Sequence, residues 1–105
     1  MMQNQDVLDF LIQRIVGEVQ PLRIVLFGSA VTTGIDHAGD LDILVVMPDG
    51  THCRRIAQHL YKVLKNIGKP FDLVVSTSSI LQRHRDNPGL IYKKILSEGK
   101  ELYAA

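Results

Sequence analysis

The feature that most constrains this chain is a glycine-serine turn followed, after ten residues, by two aspartates one residue apart. Gly28 and Ser29 end one apolar segment, and Asp40 and Asp42 open the next. Because side chains two residues apart on a strand point to the same side, the two carboxylates should project together. Oxygen donors on one face suit Mg²⁺, and a glycine turn can expose backbone N–H groups to a phosphate. The spacing therefore predicts a nucleoside triphosphate held by a turn and by metal.

A third carboxylate occupies a similar position on a later strand. Asp72 lies in the apolar segment 71–75 and shares a face of that predicted strand with Val74. A carboxylate set into an apolar strand is costly unless it is paired or metal-bound, and three neighbouring carboxylates raise at least one pKa unless a cation holds them ionised. A solvated strand end would explain an Asp-x-Asp pair alone. The full pattern predicts that Asp40, Asp42 and Asp72 form one metal site.

The alternation of apolar segments with helical patterns predicts an α/β (α+β) fold. Strands are expected at 22–27, 41–47 and 71–75, with a further extended piece at 100–103. Helices are expected at 7–19, 51–67 and 88–98, with short helices directly after Gly28 and after a cap at Ser76 or Thr77. The first two strands are joined by a short connection, whereas a long helix precedes the third. We therefore predict a small mixed β-sheet backed by helices.

Length and composition indicate a small globular protein. The 105 residues, 46% hydrophobic and 22% charged, predict a single domain spanning 1–105. A net charge of +1 argues against direct nucleic-acid binding, which usually needs a basic excess. One cysteine, Cys53, excludes an internal disulfide, and no apolar run approaches the ~20 residues of a membrane span. The N-terminus has no signal-peptide pattern, so the expected location is the cytoplasm.

These residues resemble the signature of the DNA polymerase β-type nucleotidyltransferase superfamily: Gly-Ser, ten residues, Asp-x-Asp on a strand, and a third Asp on a later strand. Gly28, Ser29, Asp40, Asp42 and Asp72 match it. The length and the C-terminal sequence look like the minimal nucleotidyltransferase subgroup, and the resemblance covers nearly the whole chain. It implies the polymerase β-type core, with Gly28 and Ser29 binding the nucleotide. The three aspartates would be catalytic and would hold two Mg²⁺ ions.

The resemblance also implies an activity and a partner. Members of this subgroup are commonly encoded beside a small helical protein of the HEPN fold, as the antitoxin half of a toxin–antitoxin pair. By resemblance, the chain would transfer AMP from ATP to a hydroxyl of that partner, which is a tyrosine in some members. Asp72 would help to deprotonate the acceptor, and pyrophosphate would leave. Neither a membrane nor nucleic acid is an expected partner.

The chain departs from the family pattern beside the turn. Many members place an arginine just after Gly-Ser, whereas Ala30, Val31 and Thr32 stand here. The missing cation favours a rival hypothesis, a catalytically weak or inactive protein that neutralises its partner by binding alone. A small-molecule nucleotidyltransferase of the aminoglycoside-modifying kind would need an added helical domain, and only 33 residues follow Asp72. The basic segment 83–85 is a candidate contact for nucleotide phosphates or for an acidic partner surface.

Overall fold

The computed structural model describes residues 4–34, 39–65, 67–87 and 91–105, which contain five helices and four strands. The helices are α1 (Asn4–Val19), α2 (Ser29–Thr33), α3 (Cys53–Val63), α4 (Ser78–His84) and α5 (Ile91–Glu98). The strands are β1 (Arg23–Phe27), β2 (Leu41–Met47), β3 (Phe71–Thr77) and β4 (Lys100–Ala104). Within the described ranges, no helix combines the length and the apolar character needed to cross a membrane.

The four strands form one mixed sheet in the order β3-β2-β1-β4. β1 pairs antiparallel with both β2 and β4, whereas β2 and β3 are parallel. The connections explain this pattern. A short segment containing α2 suffices to reverse the chain between β1 and β2, but a parallel neighbour requires a long crossover, which α3 supplies between β2 and β3. The predicted fold class, a small mixed sheet backed by helices, is confirmed.

Each face of the sheet is covered by its own pair of helices. On one face, α1 and α3 bury a core with alternate residues of β1 and β2, including Leu11, Ile15, Ile24, Leu26, Ile43, Val45 and Leu60. On the other face, α4 and α5 pack against a smaller cluster of Val25, Leu44, Val46, Leu81 and Ile95. Because Asp42 is two residues from Leu44 on β2, its side chain lies on the α4–α5 face.

The structure corrects several element boundaries. The helix predicted at 51–67 begins at Cys53, because the His52 side chain accepts a hydrogen bond from the Arg55 N–H, and it ends at Val63. Leu64 is the C-cap residue, and its N–H still donates to the Leu60 carbonyl, whereas Ile67 is buried beyond the end of the helix, so its helical spacing reflects burial in the core. The extended piece near the C-terminus is a full strand, β4. The predicted start of the last helix at 88 lies outside the described residues.

Candidate functional site

The turn after β1 requires a glycine for two separate reasons. Gly28 has a φ of +76°, a left-handed conformation that L side chains rarely adopt. A Cβ at this position would also collide with the Oδ2 atom of Asp42. The second reason was not foreseen from the sequence, which assigned the glycine only to phosphate approach. Gly28 thus brings the backbone of the turn directly against a carboxylate of the next strand.

The short helix α2 continues the turn and holds Ser29 at the surface. Ala30 is buried and anchors this helix to the sheet, while Ser29 is exposed. The Val31 N–H donates to the Gly28 carbonyl at 3.1 Å, and the Thr33 hydroxyl donates to the Ser29 carbonyl at 2.7 Å. These two bonds satisfy the carbonyl oxygens of Gly28 and Ser29 within the turn. The Ser29 hydroxyl remains at the solvent-facing edge, where a ligand could reach it.

The sheet brings two of the predicted aspartates directly side by side. Asp42 on β2 and Asp72 on β3 are partners in the parallel register, and Phe27, which precedes the turn, is the partner of Asp42 on the other side. Residues opposite each other on adjacent strands point to the same face, with the strands about 4.8 Å apart. Asp40 lies in the bend just before β2 and is exposed. The three residues therefore occupy one end of the β2–β3 pair.

Negative charge is concentrated around Asp42. Partial burial of this carboxyl raises its pKa above the ordinary aspartate value, and repulsion from Asp72 and then from Asp40 raises its pKa further. This is the direction expected from the sequence for crowded carboxylates. A cation bound between them would remove the repulsion.

The carboxylates do not form a ready-made metal cage. Across the described ranges, no group of three Asp, Glu, His or Cys side chains is arranged to hold a metal ion. However, Mg²⁺ is usually bound by one or two carboxylates together with substrate phosphates and waters. The adjacent carboxylates of Asp42 and Asp72 supply donors of that kind, so the residues present fit Mg²⁺ when a phosphate completes its coordination.

Two cavities meet at Gly28 and together form a cleft between the turn and α5. One, of about 270 Å³, is lined by Phe27, Asp42 and the apolar residues Ile91 and Ile95. The other, of about 450 Å³, extends along Ser29, Val31 and Thr32. Lys94 and Glu98 line both cavities, as does Gly28. We call this groove the cleft; it joins the turn and Asp42 along one continuous surface.

Lys94 is a residue of the cleft that the sequence analysis did not single out. It lies on α5 with Ile91, Ile95 and Glu98, at the i, i+3, i+4, i+7 spacing that defines one helix face. Ile95, only 1% exposed, anchors this face to the sheet. The sequence signal that could have identified Lys94 was its position directly before a buried residue of the same helix. It could not be used without knowing that α5 faces the turn.

The basic segment 83–85 does not line the cleft. Arg85 lines a separate cavity of about 350 Å³ together with Arg23. Arg23 pairs with Val46, four residues along the sheet from the pairing of Phe27 with Asp42, which corresponds to roughly 13 Å. No residue of 83–85 is among the described residues that line the cleft, and both roles considered for this segment, contact with nucleotide phosphates or with an acidic partner surface, stay predictions.

Comparison with known proteins agrees with this geometry. The model of the family described as nucleotidyltransferase domain matches residues 8–102, a range that includes the turn, the aspartates and all of α5. Neither the search of curated proteins nor the search of solved structures returns a match. The sequence resemblance is thereby confirmed at the level of the family, and the chain belongs to the nucleotidyltransferase domain family.

Proposed function

We propose that the chain is a Mg²⁺-dependent nucleotidyltransferase that transfers AMP from ATP to a hydroxyl group. Family membership supports nucleotidyl transfer in general. The observation that carries the proposal is the in-register pair of Asp42 and Asp72, of which Asp42 lines the cleft and lies directly against the Gly28 turn. Without a metal ion, two adjacent carboxylates would repel an anionic triphosphate. A divalent cation bound by both the carboxylates and the phosphates removes this repulsion, so the arrangement is suited to binding a nucleotide together with such a cation.

In the proposed reaction, the turn of Gly28 and Ser29 binds the triphosphate through backbone N–H groups and the serine hydroxyl. The acceptor oxygen forms a bond to the α-phosphorus, the bond from that phosphorus to the bridging oxygen breaks, and pyrophosphate leaves. Asp72, which is exposed and pairs with Asp42 in the sheet, takes the acceptor's proton. Two Mg²⁺ ions held by Asp40, Asp42 and Asp72 would supply charge neutralisation at the attacking and leaving oxygens.

We further propose that the acceptor hydroxyl belongs to a helical protein of HEPN type, and that modification makes this chain an antitoxin. The resemblance to the minimal subgroup supports this partner. Ile91, which lines the cleft, is 47% exposed, although it is a large apolar residue. Burial of such a residue by a docked protein would be favourable. The proposed location is the cytoplasm, which supplies ATP and Mg²⁺.

A binding-only antitoxin is the second candidate. Two observations favour it: the absence of a basic residue in α2 and the absence of a preformed three-ligand cluster among the described residues. Such a protein would keep the fold and the docking surface, and it would silence its partner without transferring a nucleotide.

One labelling experiment separates the two candidates. The protein is incubated with ATP labelled at the α-phosphate, Mg²⁺ and the product of the neighbouring gene. Transfer predicts label on the partner, and loss of label with Asp42→Asn or Asp72→Asn. Asp86→Asn is the matched control, because Asp86 is an exposed aspartate outside the cleft. Tight binding and silencing of the partner without label would support the binding-only candidate, and label on neither protein would contradict the transferase proposal.

A further inference from the structure

The turn that would bind a triphosphate carries no positive charge of its own. Positions 30–33 are Ala, Val, Thr and Thr, and α2 has no basic residue. The cleft already contains the carboxylates of Asp42 and Glu98. A triphosphate adds several negative charges to this surface. Positive charge from outside the turn would therefore favour the binding of a triphosphate, in addition to any metal ion.

Lys94 is the cation that the fold places there. Among the described residues that line the two cavities of the cleft, it is the one lysine or arginine, and it lines both of them. No ion pair involves Lys94 within the described part of the chain. Its ammonium group is a compact charge on a flexible stem, which suits contact with a phosphate. The side chain is therefore available to a ligand.

The helix that carries Lys94 is held firmly against the sheet. Ile95, the next residue, is buried against the strands. At the end of α5, the Gly99 N–H donates to the Ile95 carbonyl at 2.8 Å, and a Cβ on Gly99 would collide with that carbonyl and with the Val25 side chain. This close approach fixes the position of α5 relative to β1. It also fixes the distance from Lys94 to the turn, which directly follows β1.

We propose that Lys94 binds the phosphates of the nucleoside triphosphate from the side opposite the turn, in place of a basic residue after Gly28 and Ser29. The inference rests on the proposed function, because it needs a triphosphate in the cleft. Glu98 lines the same two cavities, so its carboxylate offsets part of the positive charge of Lys94. The ammonium group of Lys94 therefore acts mainly as a hydrogen-bond donor to the phosphates. We place the Lys94 contact at the β- and γ-phosphates, which are not transferred and which AMP lacks.

The test compares two neighbouring lysines. Lys93 is exposed on α5 but does not line the cleft, so Lys93→Gln removes the same charge from the same helix and serves as the control. Affinities for Mg²⁺-ATP and for AMP are measured by calorimetry at one salt concentration. We expect Lys94→Gln to weaken ATP binding about tenfold, as for a partly exposed charged hydrogen bond. AMP binding should change less than twofold, and Lys94→Arg should restore most of the ATP affinity.

Each outcome of this test has a distinct meaning. If wild type binds ATP and Lys94→Gln behaves as Lys93→Gln does, the role of Lys94 is refuted and the proposed function stands. Equal losses for ATP and AMP would also refute it, because they would indicate a general disturbance of the cleft. If wild type binds no nucleoside triphosphate in the presence of Mg²⁺, the proposed function itself fails. Thermal unfolding of all variants checks that the helix is intact.

Discussion

Replacing Asp42 with asparagine should stabilise the metal-free protein while abolishing its response to Mg²⁺. Burial and the nearby charges of Asp72 and Asp40 raise the pKa of Asp42 in the folded state. The folded protein therefore binds this proton more tightly than the unfolded chain does. Ionisation of Asp42 consequently costs stability, and the cost grows as pH rises from the unfolded pKa through the folded pKa. Asparagine has nearly the same shape and removes the charge.

The size of the effect follows from the register of β2 and β3. Adjacent strands lie about 4.8 Å apart, so the paired carboxylates of Asp42 and Asp72 are on the order of 5–6 Å apart. With an effective dielectric constant of about 40–80 for these partly exposed groups, their repulsion is about 1 kcal/mol. In a domain of this size, a change of 1 kcal/mol moves Tm by roughly 4–8 °C.

The assay is thermal unfolding at pH 8 with a chelator and low salt, repeated with Mg²⁺ and again at acid pH. We expect Asp42→Asn to have the higher Tm at pH 8 without metal, and this advantage should disappear at acid pH, where Asp42 is protonated in both states. Mg²⁺ added together with ATP, whose phosphates complete the coordination, should raise the Tm of wild type and leave the variant unchanged. Asp86→Asn should show neither effect. A metal-free variant that is less stable than wild type at pH 8 would refute the reasoning.

Three further substitutions test the surrounding structure. Gly28→Ala should lower the free energy of unfolding, measured by urea titration, by about 2–4 kcal/mol, because of the positive φ at Gly28 and the collision with Asp42. Adding Asp42→Ala to the same chain should recover part of this loss. Ser76→Ala should raise the free energy of unfolding by about 1 kcal/mol in the same assay, because the buried Ser76 hydroxyl has no partner among the described residues; a loss of stability would reveal one. Tyr61→Phe should cost about 1 kcal/mol and speed hydrogen exchange at Leu73, whose N–H donates to the Tyr61 hydroxyl at 2.8 Å; unchanged exchange would contradict this role.

The sequence was sufficient for the features that depend on short-range patterns. Alternating residues on β2 place Asp42 on the same face as Leu44, and this follows from the period of a strand alone. The glycine after β1 marks a turn for the same local reason. The number of apolar segments and the length of the connections between them indicated a mixed sheet. These properties depend on backbone geometry over a few residues, which any fold must respect.

Local sequence patterns were insufficient to predict the elements whose boundaries depend on packing between distant segments. The apolar spacing through Ile67 predicted a helix, but α3 ends with Leu64 as its C-cap, and Ile67 is buried past that end. Its burial follows from the approach of the chain to β3, which no local periodicity encodes. Similarly, the sequence predicted only an extended piece at 100–103, because this segment becomes the strand β4 by pairing with β1.

The sequence by itself determined which residues could serve the site, and the tertiary structure decided which of them meet. Asp42 and Asp72 are 30 residues apart in the chain, and only the parallel register makes them neighbours. The contact of Gly28 with Asp42 needs the antiparallel pairing of β1 and β2. Lys94 lines the cleft beside the turn only because α5 packs against the sheet. Such long-range contacts depend on the packing of the whole chain, so short-range patterns cannot specify them.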